Sequence, residues 1–319
     1  MLFFFKLFME VDMKKVLLAT EKPFAAKAVA KIEEICKGAG YEFRKLEKYT
    51  SVDELKAAVA DVNAIIIRSD KITKEIMDAA PELKIVVRGG AGFDNVDCAA
   101  AKEKGIVVMN TPGVNANAVA ELAIGMAIYT ARTCFTPTTG TELKGKKLGL
   151  QAYGNVGRNV ARIAKGLGME VYAFDPFLTK EKIESEGVKY IATKEELYKT
   201  CNYVSLHIPA NDETKKSITK EFMMDMPKPA TLINTARKEI INEEDLAAVL
   251  EARPDFKYVA DVAPDNAEEL KAKFEGRVFF TPKKMGAQTS EANDNAAEAA
   301  ATEIVNFFEK GDVRFQVNK

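Results

Sequence analysis

The sequence predicts an α/β protein made of two Rossmann-like, doubly wound parallel-sheet domains. The chain has 319 residues, which is enough for about two domains of ordinary size. Short β-branched runs alternate with amphipathic helical patterns, the order that is typical of a parallel sheet covered by helices. A stretch rich in Thr, Gly and Pro at 133–145 separates two series of such elements.

The first series begins at Met13. Its strands are predicted at 16–19, 64–68, 84–87 and 106–109. An amphipathic helix is predicted at 25–38, and Ser51 with Glu54 forms a capping box that begins another helix. The apolar run within residues 1–12 is too short for a membrane span. We interpret residues 1–12 as an extension that precedes a functional start at Met13.

The second series follows a mostly apolar helix at 116–130. Its strands are predicted at 147–151, 171–174, 203–207, 230–234 and 258–260, with a helix at 157–166. Thr193 and Glu196 form a second capping box. The chain ends with an Ala- and Glu-rich helix at 290–310 and a short tail.

The composition argues against several kinds of site. There is one histidine, His207, and the four cysteines are scattered, so multi-histidine metal sites and zinc ribbons are not expected. The 46 basic and 47 acidic residues leave no excess charge to attract nucleic acid or an anionic membrane. We therefore expect a cytoplasmic protein with a small-molecule partner and no metal, nucleic-acid or membrane partner.

Residues 152–157 read Ala-Tyr-Gly-Asn-Val-Gly between a predicted strand and a predicted helix. This is the dinucleotide fingerprint G-x-G-x-x-G with Ala152 at the first glycine. Gly154 allows the backbone to approach a pyrophosphate, and Gly157 allows the helix to pack on the strand. Asn155 and Val156 complete the loop, and the N-terminus of the helix that follows offers free N–H groups to anionic oxygens.

Asp175 ends the strand that follows this helix. A carboxylate at that position accepts hydrogen bonds from ribose hydroxyls and repels the 2′-phosphate of NADP. The sequence therefore predicts NAD as the cofactor.

Several separated motifs resemble those of the D-isomer-specific 2-hydroxyacid dehydrogenases, in the same order, from Met13 to Asn318. They are 88–97 (RGGAGFDNVD), 110–113 (NTPG), 152–157, 205–209 (SLHIP), 233–237 (INTAR), 261–262 (DV) and 284–287 (KMGA). The resemblance is closest to the branch that oxidises 3-phospho-D-glycerate, in its short form without C-terminal regulatory domains. It implies an NAD-binding domain of 112–289 inserted into a substrate domain of 13–111 and 290–319, and a homodimer.

The resemblance also implies which residues of the inserted domain line the cofactor. In addition to the glycine loop and Asp175, these are His207, Ile208, Pro209, Thr235, Ala236, Asp261, Gly286 and Ala287. His207 is expected to pack under the adenosine side of NAD rather than to carry protons.

Oxidation of a 2-hydroxy acid needs a cation for the carboxylate and a base for the hydroxyl proton. Arg237 supplies a planar cation that can hold a carboxylate and a ketone oxygen together. The family's base is a histidine, and Lys284 stands at its position. If the loop register is shifted by one residue, Lys283 is the base instead. The family's paired Glu is replaced by Asn266, and Asp265 beside it is expected to help orient the ammonium.

These two replacements are chemically consistent with each other. A free lysine has a pKa of about 10.4, which must fall before the amine can accept a proton near neutrality. Burial and a neighbouring arginine lower a lysine pKa, whereas a closely paired glutamate raises it. We therefore expect Lys284 to be the acid–base residue and oxidation to be favoured by alkaline pH.

Substrate selectivity is expected to depend on Arg68 and Arg88, with Gly89 and Gly90 beside them. Both arginines end strands of the first domain, where doubly wound sheets bind ligands. Two arginines suit a phosphate, and the resemblance implies that the matching arginines hold the 3-phosphate of the substrate. The expected reaction is therefore NAD-dependent oxidation of 3-phospho-D-glycerate to 3-phosphohydroxypyruvate. The alternatives are a glycerate, hydroxypyruvate or glyoxylate reductase, and a non-catalytic NAD-sensing member of the family.

Overall fold

In the computed structural model, which describes residues 13–319, the chain separates into two compact units. Of the described residues, the first unit contains 13–115 and the returning segment Ser290–Lys319, and the second contains Ala116–Thr289. The named strands of each unit form one parallel sheet. The predicted fold class is confirmed. The interpretation of residues 1–12 as an extension lies outside the described residues.

The first unit has five strands in the order β2-β1-β3-β4-β5. They are β1 (Lys15–Thr20), β2 (Glu42–Glu47), β3 (Ala64–Ile67), β4 (Ile85–Arg88) and β5 (Val107–Asn110). Its helices are α1 (Ala26–Gly38), α2 (Val52–Val59), α3 (Lys74–Asp78), α4 (Cys98–Glu103) and a C-terminal helix, Ser290–Lys310.

Both faces of this sheet are buried. Alternate residues such as Leu17 and Ile65 pack with α2, α3 and α4, while Leu18 and Ile66 pack with α1 and the C-terminal helix. This two-sided burial explains why the central strands are continuous apolar runs rather than alternating ones. The strand order reverses between β1 and β3, which is where such sheets bind ligands.

The second unit has seven strands in the order β12-β11-β10-β9-β6-β7-β8. They are β6 (Lys147–Gln151), β7 (Glu170–Phe174), β8 (Lys189–Tyr190), β9 (Tyr203–Leu206), β10 (Thr231–Asn234), β11 (Lys257–Ala260) and β12 (Val278–Phe280). Its helices are α5 (Ala116–Ala131), α6 (Asn155–Gly166), α7 (Lys180–Glu184), α8 (Lys194–Thr200), α9 (Lys220–Asp225), α10 (Glu243–Ala252) and α11 (Ala267–Lys273). The strand order reverses between β6 and β9.

Both predicted capping boxes begin helices. Ser51 Oγ accepts a hydrogen bond from the Glu54 amide at 3.3 Å, and Thr193 Oγ1 accepts one from the Glu196 amide at 3.1 Å. Helix α6 begins at Asn155, two residues before the predicted start. Between residues 13 and 319, none of the helices has the length and apolarity that crossing a membrane requires.

Candidate active site

The glycine loop after β6 has a backbone that depends on two small residues. Ala152 adopts φ +78°, and its amide donates to the Phe174 carbonyl at 2.9 Å. A Cβ atom on Gly157 would lie 2.5 Å from the Ala152 carbonyl oxygen, so a larger residue at 157 would push the helix away from the strand.

Helix α6 is open to a ligand at its first turn. Its N-cap residue, Gly154, makes no side-chain capping bond within the part of the chain that the structure describes. The amides at the start of a helix need external acceptors, and anionic oxygens meet that need. A Cβ atom built on Gly154 would have no neighbouring atom within 4 Å. The N-terminus of α6 is therefore open at this residue.

Asp175 is held beside the glycine loop. Its Oδ2 accepts the Tyr153 amide at 2.8 Å, and its Oδ1 accepts the Phe177 amide at 2.9 Å. These bonds fix the orientation of the carboxylate at the end of β7. The geometry suits a carboxylate that receives ribose hydroxyls next to a pyrophosphate loop.

Two buried polar atoms follow the neighbouring strands β9 and β10. His207 Nε2 and Thr235 Oγ1 are inaccessible to water and have no hydrogen-bond partner among residues 13–319. Such atoms are normally paired, so their position at the carboxyl ends of β9 and β10 fits a polar ligand such as NAD. Burial lowers the pKa of His207 to about 4, so its imidazole is neutral at physiological pH. Ile208 is half-buried and Pro209 is exposed in the same loop.

Arg237 is presented by a turn that Asn234 organises. Asn234 is fully buried; its Nδ2 donates to the Arg237 carbonyl at 2.9 Å, and its Oδ1 accepts the Ala236 amide at 2.9 Å. The half-buried guanidinium donates one bond, at 2.9 Å, to the Ala236 carbonyl. A guanidinium has five N–H groups, so this turn holds Arg237 in place with donors to offer to an anion.

The loop that carries Lys284 is anchored by Asp261. This carboxylate, 1% exposed, accepts the Met285 amide at 2.7 Å on Oδ1 and the Gly286 amide at 2.7 Å on Oδ2. The Thr281 hydroxyl also donates to Oδ1, at 2.9 Å. The loop is therefore held on both sides of Lys284. Asp261, which the resemblance assigns to the cofactor, shapes the loop that carries the proposed base.

Gly286 is required by this arrangement. A Cβ at that position would lie 3.0 Å from Asp261 Oδ2 and 3.2 Å from Val119 Cγ2. Ala287 follows in the same turn and is half-buried.

The surroundings of Lys284 differ from the expectation in one respect. Its side chain is exposed, as is that of Lys283, so the burial that was expected to lower its pKa is not found. The Asp265 carboxylate pairs with Lys238, and this pairing raises the pKa of Lys238. Assistance of Asp265 to Lys284 stays a prediction.

In the first unit, Arg68 follows β3 and is fixed by three groups. Its Nη2 donates to Asn293 Oδ1 at 2.7 Å, and its guanidinium lies 4.8 Å from the centre of the Phe24 ring. Its amide donates to Asp70 Oδ2 at 3.2 Å. Burial lowers the pKa of Arg68, which places a partly desolvated cation at the carboxyl edge of the sheet.

Arg88 ends the adjacent strand β4 and is connected to Arg68. Its Nε donates to the Arg68 carbonyl at 3.0 Å. Gly90 has φ +141°, and a Cβ there would lie 1.7 Å from Arg88 Nη1. The Gly89 amide donates to the Ile67 carbonyl at 2.8 Å. The glycines therefore allow two arginines to lie on neighbouring strand ends, an arrangement that favours an anion.

Sequence reasoning missed the residues that hold these side chains, namely Phe24, Asp70, Asn234 and Asn293. Asp70 and Asn234 could have been found from the sequence, because each is a polar residue at the end of a buried strand or just after it. Phe24 and Asn293 are distant in sequence from Arg68, and their role depends on the fold.

The second sheet, its glycine loop and the carboxylate at the end of β7 define a dinucleotide-binding protein. The family model for the NAD binding domain of the D-isomer specific 2-hydroxyacid dehydrogenases matches residues 126–282. The chain belongs to this family, and NAD is its cofactor.

Relatives within the family carry different names. The chain is 45% identical to an NAD+-bound 3-phosphoglycerate dehydrogenase of Entamoeba histolytica, with a TM-score of 0.86 over 96% of this chain and 99% of that one. It is 34% identical to a hydroxypyruvate reductase of Thermotoga maritima over 79% of this chain and 86% of the relative. It is also 34% identical to a D-3-phosphoglycerate dehydrogenase of Methanocaldococcus jannaschii over 79% of this chain and 51% of the relative. The chain thus spans about half the length of this last relative.

Replacing Ala152 with glycine should stabilise the protein. A non-glycine residue in the left-handed region costs about 1 kcal/mol, so Ala152→Gly should raise the free energy of unfolding in urea by up to about that amount. The control is Ala57→Gly, which places glycine inside helix α2. This change should lower the free energy of unfolding by about 1 kcal/mol. Equal destabilisation by both variants would contradict the strain assigned to Ala152.

Replacing Asp261 with asparagine should loosen the loop around Lys284. The amide group cannot accept both backbone N–H groups, and an unsatisfied buried donor costs about 1–3 kcal/mol. Hydrogen exchange at Met285 and Gly286 should accelerate in Asp261→Asn. Thr281→Val removes only the hydroxyl that contacts Oδ1 and the main-chain carbonyl of Asp261, leaves both backbone amides paired, and should have a smaller effect. Unchanged exchange in Asp261→Asn would show that the carboxylate does not hold the loop.

Proposed function

We propose that this protein is an NAD-dependent dehydrogenase that oxidises 3-phospho-D-glycerate to 3-phosphohydroxypyruvate, the entry step of serine biosynthesis. The observation that carries the substrate assignment is the adjacent pair Arg68 and Arg88 at the ends of β3 and β4. The names of two of the relatives above support the same substrate. A phosphate monoester carries nearly two negative charges at neutral pH and is well matched by two guanidinium groups.

The chemical roles follow from the residues of the second unit. When bound, NAD would supply the hydride acceptor, C4 of its nicotinamide ring. The glycine-loop amides and Asp175 would hold its pyrophosphate and ribose, and the loops after β9 and β10 would line the rest. Arg237 would bind the substrate carboxylate and polarise the oxygen at C2.

Lys284 would take the C2 hydroxyl proton. As the hydride leaves C2, the O–H electron pair becomes the second bond of the ketone, and the proton remains on the lysine amine. Only the neutral amine can act in this direction. Oxidation should therefore be favoured by alkaline pH, while the protonated amine is the acid that reduction needs.

Comparison of Lys284→Ala and Lys283→Ala tests the base. Lys284→Ala should reduce kcat by about 100-fold or more, the usual contribution of a general base, and should retain cofactor binding, measured through the fluorescence of NADH. Lys283→Ala should keep near-normal kcat and the alkaline rise of the pH–rate profile. The opposite pattern would assign the base to Lys283, and normal turnover in both variants would reject a lysine base.

Arg68→Ala tests the phosphate assignment. Loss of a charge-assisted contact should raise KM for 3-phospho-D-glycerate by about 10- to 100-fold and leave kinetics with D-glycerate unchanged. Arg44→Ala is the matched control, because Arg44 lies on β2 and pairs with Asp61 and Glu42. An unchanged KM in Arg68→Ala would remove the support for a phosphorylated substrate.

The second candidate is a hydroxypyruvate reductase, which the relative from Thermotoga maritima supports. NADH absorbance distinguishes the two functions. A reductase would consume NADH with unphosphorylated hydroxypyruvate at least as efficiently as with its 3-phosphate, whereas the proposed enzyme would require the phosphate.

A further inference from the structure

The C-terminal helix of the first unit carries a groove that the proposed reaction does not use. It lies between helix residues 295–306 and tail residues 312–315 and has a volume of about 290 Å³. We call it the C-terminal groove. Its lining includes three carboxylates, Glu298, Glu303 and Asp312, and one arginine, Arg314.

Glu303 is the unusual member of this group. Its side chain lines the groove although the residue is only 9% exposed. Its Oε2 is buried and has no hydrogen-bond partner in the portion of the chain from 13 to 319. An unpaired buried carboxyl oxygen is costly, and buried polar atoms are nearly always satisfied. A donor from outside the chain would satisfy it.

The neighbouring charges determine which donor fits. Arg314 Nε donates to Asp312 Oδ2 at 2.8 Å, so the charge of Arg314 is already paired with the Asp312 carboxylate. Lys310 donates to Asn306 Oδ1 at 2.8 Å. Glu298, Asp312 and the ionised form of Glu303 line the groove together with one arginine. Once Glu303 loses its proton, a positively charged ligand is favoured over an anion.

The elements that pack against this helix do not supply the missing partner. On α1, Lys27 pairs with Asp294 at 3.2 Å. At the other end of the helix, the Tyr41 hydroxyl donates to Glu309 at 2.6 Å. Neither pair belongs to the lining of the groove.

We propose that the C-terminal groove binds a small aliphatic primary ammonium ion, with Glu303 as its counter-ion. An ammonium group has three N–H donors and a single charge, which matches one buried acceptor surrounded by further carboxylates. Ala299 and Phe315 line the same groove and offer apolar contact to a short carbon chain. The Arg314 guanidinium already lies over the Phe315 ring, 5.7 Å from its centre, so Phe315 contributes apolar contact.

Binding in this site should release a proton. Burial is the main cause that raises the pKa of Glu303 to about 8; Asp312 adds to the shift and Arg314 opposes it. Glu303 is therefore largely protonated at pH 7 without a ligand, and an ammonium ion binds its ionised form. Affinity should consequently rise as pH increases from 6 to 8.

Isothermal titration calorimetry with ethanolamine tests the proposal, with tetramethylammonium as a cation that has no N–H donor. Ethanolamine should bind at least tenfold more tightly at pH 8 than at pH 6, and tetramethylammonium should not bind. Glu303→Gln should weaken ethanolamine binding at least tenfold and remove its pH dependence. Glu291→Gln, an exposed position on the same helix, is the matched control and should behave as the parent protein.

Free alanine is the second test ligand. It shows whether the natural ligand is an amino acid or a simple amine. Its carboxylate would approach Glu298 and Asp312, so we expect it to bind more weakly than ethanolamine. Tighter binding of alanine would support the ammonium site and identify an amino acid as its ligand. Absence of binding by both compounds, or equal binding of tetramethylammonium, would overturn the proposal.

Protein stability gives a readout that needs no ligand. Because the folded-state pKa of Glu303 lies above its unfolded value, the folded protein holds the extra proton between about pH 4.5 and 8. Stability of the parent protein should fall through this range as pH rises, and Glu303→Gln should flatten the fall. Identical pH profiles for the two proteins would show that Glu303 is not the buried, unpartnered acid on which the site depends.

Discussion

Loops that follow buried parallel strands must find hydrogen-bond partners for their backbone without the help of water, and this requirement shapes both units. Here buried polar side chains meet it. Asp261 accepts two amides of the loop after β12, and Asn234 closes the turn after β10. Asp175 accepts two amides next to the glycine loop. In the first unit, Asp70, which is 3% exposed, accepts the amides of Arg68 and Glu21.

The reactive groups gain precision from these fixed backbones. Arg68, Arg237 and Lys284 are long, flexible side chains, and each of them loses conformational entropy when it holds a ligand. Their anchored backbones limit the loss to the side chain itself. This is the arrangement that favours electrostatic stabilisation of a transition state, because the charges are placed before the substrate arrives. Replacing these carboxylates and amides should therefore disturb the proposed site through the backbone, although none of them is proposed to contact a reacting atom.

Much of the fold follows from the sequence, because apolar runs and capping boxes report local structure directly. The strand β2 was missed because its residues, Glu42–Glu47, include four charged side chains and it lies at the edge of its sheet. The short strands β8 and β12 were missed because two or three residues carry too little pattern. For the site, motif positions identified the candidate side chains, but the partners of Arg68 and the pairing of Asp265 with Lys238 arise only when distant segments meet.

A lysine base in place of the family's histidine, as proposed for Lys284, bears on the direction of the reaction. The resemblance places a glutamate where this chain has Asn266, whose Oδ1 is buried without a partner in the range 13–319. Asn266 carries no charge, and the charge of Asp265 is balanced by Lys238. A neutral amine is the base that oxidation needs and a protonated amine is the acid that reduction needs, so a lysine base should make the direction of the proposed reaction depend on pH.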